Sequence, residues 1–131
     1  MKSFLFLFFP KFRINSGLAG GDFISRDMEV VKAYKNDPLV DTSITLKLAS
    51  EMIGAISNIN RFIEKFKLPI LIQDGSKDML SKGIKQLDSS LKMKDKTIIV
   101  YEGLHHEVYN ELEPDRKKVL NDLSKWLENH I

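Results

Sequence analysis

The sequence predicts an α/β protein with an incomplete parallel sheet, in which a helical first half precedes a β-α-β-α unit with two parallel strands. Two short, continuous apolar runs at 69–73 and 97–101 predict the strands, because strands buried on both faces are apolar without alternation. A helical pattern separates the runs and another follows the second, as in a right-handed crossover. Two parallel strands leave edges and faces in need of cover. We therefore expect further polypeptide on the N-terminal side.

The start of the chain is strongly apolar. Residues 4–9 form an apolar run that ends at Pro10 and is followed by Lys11 and Arg13. The run is shorter than the apolar region of a secretion signal and lacks a small-residue cleavage site. It is also far too short to cross a bilayer. We interpret it as a buried helical segment, and we expect no integral membrane segment.

A short helix is predicted after a flexible connection at residues 18–21. Ser25 or Asp27 can cap its N-terminus. The helix ends before Pro38, because a residue preceding proline is disfavoured in the helical region.

Three further helical patterns complete the prediction. Between 42 and 66, apolar residues at helical spacing indicate one or two amphipathic helices, with breaks expected at Gly54 and at 57–58. A second pattern covers 80–91, between the strands. The last helix opens at Pro114, which favours the first helical turn.

Composition excludes several classes of function. The 131 residues include 20 basic and 18 acidic side chains, a formal net charge of +2, which is too small to indicate nucleic-acid binding. The absence of cysteine excludes a disulfide framework, a thiolate nucleophile and a cysteine zinc site. A reducing cytoplasm is the compartment that fits best.

Chemically useful side chains follow both predicted strands. Residues 74–78 supply carboxylates after the first strand, and residues 102–107 supply histidines after the second. Functional groups in open parallel sheets collect at the C-terminal ends of strands. The order, acid and then histidine, is the order in which a Ser-Asp-His hydrolase triad ends.

Several stretches then make a specific resemblance. They are Phe23, Ser25-Arg26-Asp27, Ala33-Tyr34, Asp37-Pro38-Leu39, Gly75-Ser76-Lys77-Asp78, Tyr101-Glu102-Gly103-Leu104-His105-His106-Glu107 and Asn110-Glu111. Together with the Phe-rich start, this combination resembles the monoacylglycerol lipase and lysophospholipase family of serine aminopeptidase-like hydrolases.

The resemblance implies an incomplete α/β-hydrolase fold, with residues 1–66 as a helical cap and residues 67–131 as the C-terminal part of the core. It makes Asp78 the triad acid and His106 the general base, without cofactor or metal. It also implies a substrate class, the acyl esters of lipid alcohols such as monoacylglycerols or lysophospholipids. The cap helices of the family line an acyl channel. A cytoplasmic location, with peripheral association to membranes as an option, fits such a substrate.

The nucleophile is missing from these residues. No Gly-x-Ser-x-Gly occurs in the sequence, so the nucleophile elbow and half of the oxyanion hole are absent. We therefore expect the chain to be the C-terminal fragment of a serine hydrolase and inactive alone. The alternative is a non-catalytic half-fold that acts as an interaction module, either with a separate N-terminal partner or as a homodimer.

Each site residue also has a structural interpretation. Asp78 could cap a helix that begins near Ser81, and His106 could be a loop histidine bonded to Glu107. Asp74 is a second carboxylate close to Asp78, although the turn spacing favours Asp78.

A metal site is the remaining alternative for the histidine loop. His105, His106, Glu107 and Glu111 are all metal-ligating residue types. The zinc-binding pattern H-E-x-x-H fails, however, because Asn110 stands where the second histidine is needed. We expect no metal.

Overall fold

The chain consists of a mostly helical first half and a β-α-β-α second half, as predicted. The computed structural model describes residues 8–17, 21–63 and 65–131. The elements in chain order are β1 (Arg13–Asn15), α1 (Met28–Asn36), β2 (Ser43–Thr45), α2 (Leu46–Ile63), β3 (Ile70–Gly75), α3 (Ile84–Ser90), β4 (Lys96–Tyr101), a 3-10 turn (Val108–Asn110) and α4 (Asp115–Glu128).

Strands β3 and β4 form the predicted parallel pair. Their register runs from Ile70 opposite Lys96 to Gly75 opposite Tyr101, so both strands end at the same level. The expectation that both faces are buried is wrong, since most positions of both strands are only half-buried and Val100 is 51% exposed. Residues alternate between faces in a strand, and only the face of Tyr101 carries the core described next.

A small core joins β4 to the last helix. Tyr101, Leu104, Val108 and Val119 are buried together, and Ile99 packs against them. Gln73 of β3 also connects β4 to α4, since its Nε2 donates to the Tyr101 hydroxyl at 2.6 Å and to the Val119 carbonyl at 3.0 Å. Burial raises the pKa of Tyr101 to about 12, so its hydroxyl stays neutral and fixed in this network.

Helix α1 matches its prediction. Asp27 is the N-cap, and its side chain accepts a hydrogen bond from the Glu29 amide at 3.0 Å. The helix ends at Asn36, before Pro38. Val31 is its buried contact with the rest of the molecule.

Helix α2 is one continuous helix, so the breaks expected at Gly54 and 57–58 do not occur. The polar side chains bond within the helix instead, because Ser57 Oγ donates to the Ile53 carbonyl and Asn58 Nδ2 to the Gly54 carbonyl, both at 2.8 Å. These side chains therefore bond to helix carbonyls one turn earlier, and the helix continues past them.

Two short strands in the first half were not predicted. Strands β1 and β2 pair antiparallel, with Arg13 opposite Thr45. The Arg13 side chain crosses to Asp41 and Ser43. Three residues per strand are too few for a visible alternation, so no pattern in the sequence predicts this pair.

The apolar start and the predicted connection are only partly covered. Residues 1–7 and 18–20 lie outside the described residues, so the buried helical segment predicted at 4–9 is represented by Phe8 and Phe9 alone. Both side chains are exposed. Of the connection, Gly21 is described, with a positive φ of 66°.

The second half differs from prediction at one helix. Helix α3 begins at Ile84 rather than near residue 80, because the residues before it form a turn around Asp78.

Of the helices in the described ranges, none has the length and apolar character needed to cross a membrane.

Candidate active site

The loop after β3 is held against the loop after β4 by main-chain hydrogen bonds. The Ser76 amide donates to the Tyr101 carbonyl and the Lys77 amide to the Leu104 carbonyl, each at 2.9 Å. The Asp78 amide donates back to the Gly75 carbonyl at 2.9 Å, closing a turn. Asp78 is therefore fixed relative to the histidine loop, residues 104–107.

Gly75 makes this close approach feasible. A Cβ atom at this position would lie 2.3 Å from the carbonyl oxygens of both Leu104 and His105. These are backbone atoms that cannot rotate away, so only glycine fits without moving one of the loops.

Asp78 and His106 meet in a direct hydrogen bond. His106 Nδ1 lies 2.8 Å from Asp78 Oδ2. The Asp78 side chain is 2% exposed, whereas that of His106 is 37% exposed. The other carboxylate oxygen, Oδ1, accepts from the amides of Leu80 at 2.7 Å and Ser81 at 3.2 Å. The acid is buried and held at both oxygens, and the imidazole reaches towards solvent.

These bonds fix the charge of the pair. Burial of Asp78 favours its neutral form, but the hydrogen bonds from His106 and from the Leu80 and Ser81 amides outweigh burial and lower the pKa of Asp78 to about 2. An ionised carboxylate can only accept, so His106 Nδ1 carries the proton. In neutral His106 the Nε2 atom is then an acceptor, which is the state required of a general base.

Asp74 is the second carboxylate that the sequence offers as an alternative to Asp78. It is buried at the end of β3. Burial raises its pKa, and the hydrogen bond and negative charge of Asp78 raise it further. The carboxylate that meets His106 is that of Asp78.

The structural alternatives for the two residues are partly realised. Asp78 does accept amides of the following turn, but helix α3 begins later, at Ile84. The partner of His106 Nδ1 is Asp78, and the Glu107 carboxylate accepts from Asn110 Nδ2 at 2.7 Å instead. Across the described ranges, no three His, Asp or Glu side chains are grouped so that they could hold a metal ion.

Sequence reasoning missed a buried ion pair beside this site. Glu111 is fully buried, and its Oε2 accepts from Arg26 Nε at 2.9 Å. Its Oε1 accepts from the His105 amide at 2.7 Å. Both residues belong to stretches that carry the family resemblance, which was the available signal, but no role followed from it.

Solved structures share the fold of this chain. A monoacylglycerol lipase of Paleococcus ferrophilus matches with a TM-score of 0.85 and 29% identity, over 93% of this chain and 48% of that one. The chain is part of an α/β-hydrolase fold, and it includes the parallel strand pair β3–β4.

The chain belongs to the serine aminopeptidase S33 family, whose model matches residues 1–113. The resemblance stated from the sequence is thereby confirmed. The chain is 36% identical to the monoacylglycerol lipase of Mycolicibacterium smegmatis, over 84% of its own length. It is 31% identical to the monoglyceride lipase of Rattus norvegicus, over 90% of this chain. In both cases the chain spans 40% of the length of the relative.

Proposed function

We propose that this chain supplies the acid and the general base of a Ser-His-Asp hydrolase that cleaves acyl esters of lipid alcohols. The observation that carries the proposal is the 2.8 Å bond between His106 Nδ1 and the buried carboxylate of Asp78. The serine comes from polypeptide outside these 131 residues, which contain no Gly-x-Ser-x-Gly.

The two residues have separate tasks in the reaction. His106 Nε2 takes the proton of the serine hydroxyl as its oxygen attacks the acyl carbonyl, and returns that proton to the leaving alcohol. Water then repeats the cycle on the acyl-enzyme and releases the fatty acid. Asp78 holds the Nδ1-H tautomer and stabilises the imidazolium that forms in each step.

The substrate class rests on the relatives and on apolar surface. The relatives named above are a monoacylglycerol lipase and a monoglyceride lipase. Helix α2 exposes a row of large apolar side chains, Leu48, Met52, Ile53, Ile56, Ile59 and Phe62. A groove between α2 and α3 is lined mainly by Ile56, Ile59, Ile63 and Leu87. Apolar surface of this extent suits an acyl chain. We assign residues 1–66 to a cap and 67–131 to the core on this basis.

The missing serine is tested directly with a fluorophosphonate probe. The chain alone should not be labelled, because it lacks the nucleophile elbow and the oxyanion donor that follows it. Stoichiometric labelling of one serine would show that a nucleophile lies within these residues.

The roles of Asp78 and His106 are tested by complementation. The segment of the Mycolicibacterium smegmatis lipase that this chain does not match is co-expressed with it, and monoacylglycerol hydrolysis is measured. His130→Ala is a matched control, since His130 also pairs with an aspartate, Asp95, at 3.1 Å. We expect hydrolysis with the native chain and with His130→Ala. We expect rates lower by roughly three powers of ten with His106→Ala or Asp78→Asn. Equal rates for His106→Ala and the native chain would contradict the assignment.

A second candidate is a non-catalytic interaction module. The exposed apolar row of α2 favours it, because a large apolar patch also marks a protein interface. The occupant is then a separate N-terminal half or a second copy of this chain. Size-exclusion chromatography and thermal melting distinguish the two candidates. A module runs as a stable dimer, or binds its partner without hydrolysis. A catalytic fragment runs as a monomer whose melting temperature rises, and whose hydrolysis appears, once the complementing segment is added.

We further propose a cytoplasmic location with peripheral membrane contact. The support is the absence of cysteine together with the apolar row on α2. Co-sedimentation with phosphatidylcholine vesicles tests the contact. Ile56→Asp should reduce the bound fraction, and an unchanged fraction would remove the α2 row from the proposal.

A further inference from the structure

We propose that Glu111, together with Arg26, is a positioning residue that sets the loop carrying His106. This role presupposes the proposed function, in which His106 is the general base. Glu111 is one of the largest fully buried side chains of the described residues, and neither the triad nor the fold of the strand pair requires a carboxylate there.

Three donors converge on the Glu111 carboxylate. The His105 amide bonds Oε1 at 2.7 Å. Arg26 bonds Oε2 through Nε at 2.9 Å and through its own amide at 3.3 Å. A buried carboxylate is tolerated only when it is paired and hydrogen-bonded, and this one is satisfied on both oxygens.

The Oε1 bond links the histidine loop to the residue that follows the 3-10 turn. It joins the side chain of residue 111 to the amide of residue 105, six positions earlier. His106 is the next residue along the backbone from that amide. Because that amide belongs to the Leu104–His105 peptide, a carboxylate at 111 limits the rotation of the peptide one residue before His106.

A second set of bonds holds the same loop from outside. We call Phe23–Arg26 the strap. The His106 amide donates to the Phe23 carbonyl at 3.2 Å, and the Glu107 amide to the Ile24 carbonyl at 2.7 Å. Ser25 Oγ donates to the Asn110 carbonyl at 2.8 Å. The Arg26–Glu111 pair fastens the end of the strap to the residue that follows the 3-10 turn.

Arg26 is itself oriented by a second carboxylate. Its Nη2 bonds Asp115 Oδ2 at 2.5 Å, in the first turn of α4. The guanidinium thus bridges the buried Glu111 and the partly exposed Asp115. A planar fork with several donors suits this bridge, and lysine cannot reproduce it.

Two roles for Glu111 predict different results. If it only stabilises the fold, its loss lowers the melting temperature and leaves the protonation pattern of His106 intact. If it positions the loop, its loss loosens the bond between His106 and Asp78, and the neutral imidazole redistributes between its two tautomers.

The test is a ¹H–¹⁵N correlation spectrum of the histidine rings in the full chain. The native chain should show His106 as the Nδ1-H tautomer at neutral pH. Glu111→Ala should lose this single-tautomer pattern. Glu111→Gln keeps an acceptor for the His105 amide but presents an NH₂ group to the Arg26 donors, so it should lose the pattern only in part. Glu113→Ala is the matched control, since Glu113 forms a neighbouring but exposed pair with Arg116, and it should match the native spectrum.

Each outcome bears on a different claim. A native His106 pattern in folded Glu111→Ala overturns the positioning role and leaves the proposed triad pair in place. Absence of the Nδ1-H tautomer in the native chain contradicts the proposed pair itself. If Glu111→Ala does not fold, Arg26→Met replaces it at a partly exposed position. Redistribution of the His106 tautomers in that variant supports the role, and a native pattern overturns it.

Discussion

Replacing Asp78 with asparagine probes the charge and the geometry of the Asp78–His106 pair together. The asparagine oxygen can still accept from the Leu80 and Ser81 amides, as Oδ1 does now. Its NH₂ group, however, presents a donor to His106 Nδ1. The imidazole must then expose an acceptor at Nδ1 and carry its proton on Nε2, the wrong tautomer for a general base.

The structure sets the expected loss of stability. The pKa of Asp78 is lowered from 3.8 to about 2, and one pKa unit corresponds to about 1.4 kcal/mol. The ionised side chain is almost fully buried, so it contributes roughly 2 kcal/mol to the free energy of unfolding. Because the folded pKa lies below the unfolded value, this contribution is complete above about pH 4 and is lost as the pH falls towards about 2.

The assay is urea unfolding of the native chain and of Asp78→Asn at pH values from about 7 down to about 2. The variant should be less stable by roughly 2 kcal/mol at neutral pH, and the two curves should converge in acid. Asp22→Asn is the control, since Asp22 forms an exposed pair with Lys35, and it should follow the native curve. A constant difference between Asp78→Asn and the native chain across the whole pH range would refute the reasoning.

Three further substitutions test other features. Gly75→Ala should lower the free energy of unfolding by about 3 kcal/mol or more, because the new Cβ meets two carbonyls of the histidine loop. Gly83→Ala, with open space around its Cβ, is the control. Equal melting temperatures for Gly75→Ala and Gly83→Ala would contradict the close approach. Asp74→Asn should raise the melting temperature at pH 7 but not near pH 3, because the raised pKa of Asp74 makes its ionisation costly only in the folded state; a decrease at pH 7 would contradict this. Val119→Ala should cost about 2 kcal/mol in urea unfolding, because Val119 is fully buried in the core; a cost like that of Leu120→Ala, at an exposed position, would show that the core is not formed.

The strand pair and its loops were predictable because their signals are local. Continuous apolar runs are characteristic of buried parallel strands, and the predicted run 97–101 differs from β4 by one residue at its start. Strand β3 continues to Gly75 rather than ending at residue 73. This extension depends on the partner strand, since Asp74 and Gly75 pair with Val100 and Tyr101.

The missed features depend on contacts that sequence spacing does not encode. Helix α3 starts late because the Asp78 carboxylate takes the amides of Leu80 and Ser81. The role of Glu111 was hidden because a glutamate in a charged stretch normally indicates a solvated surface. Its burial depends on Arg26, which lies 85 residues away in the chain.

The strap also constrains how the first half of the chain can move. Its carbonyls at Phe23 and Ile24 belong to the predicted cap, yet they bond the amides that carry His106 and Glu107. If the cap opened by moving the strap, these bonds would break and His106 would move away from its present position. The hinge of any opening that keeps His106 in place therefore lies at or after Asp27. Hydrogen exchange can locate this hinge. Slow exchange at the His106 and Glu107 amides together with fast exchange in α1 would place the hinge at or after Asp27. Fast exchange at both amides would place the hinge before Phe23.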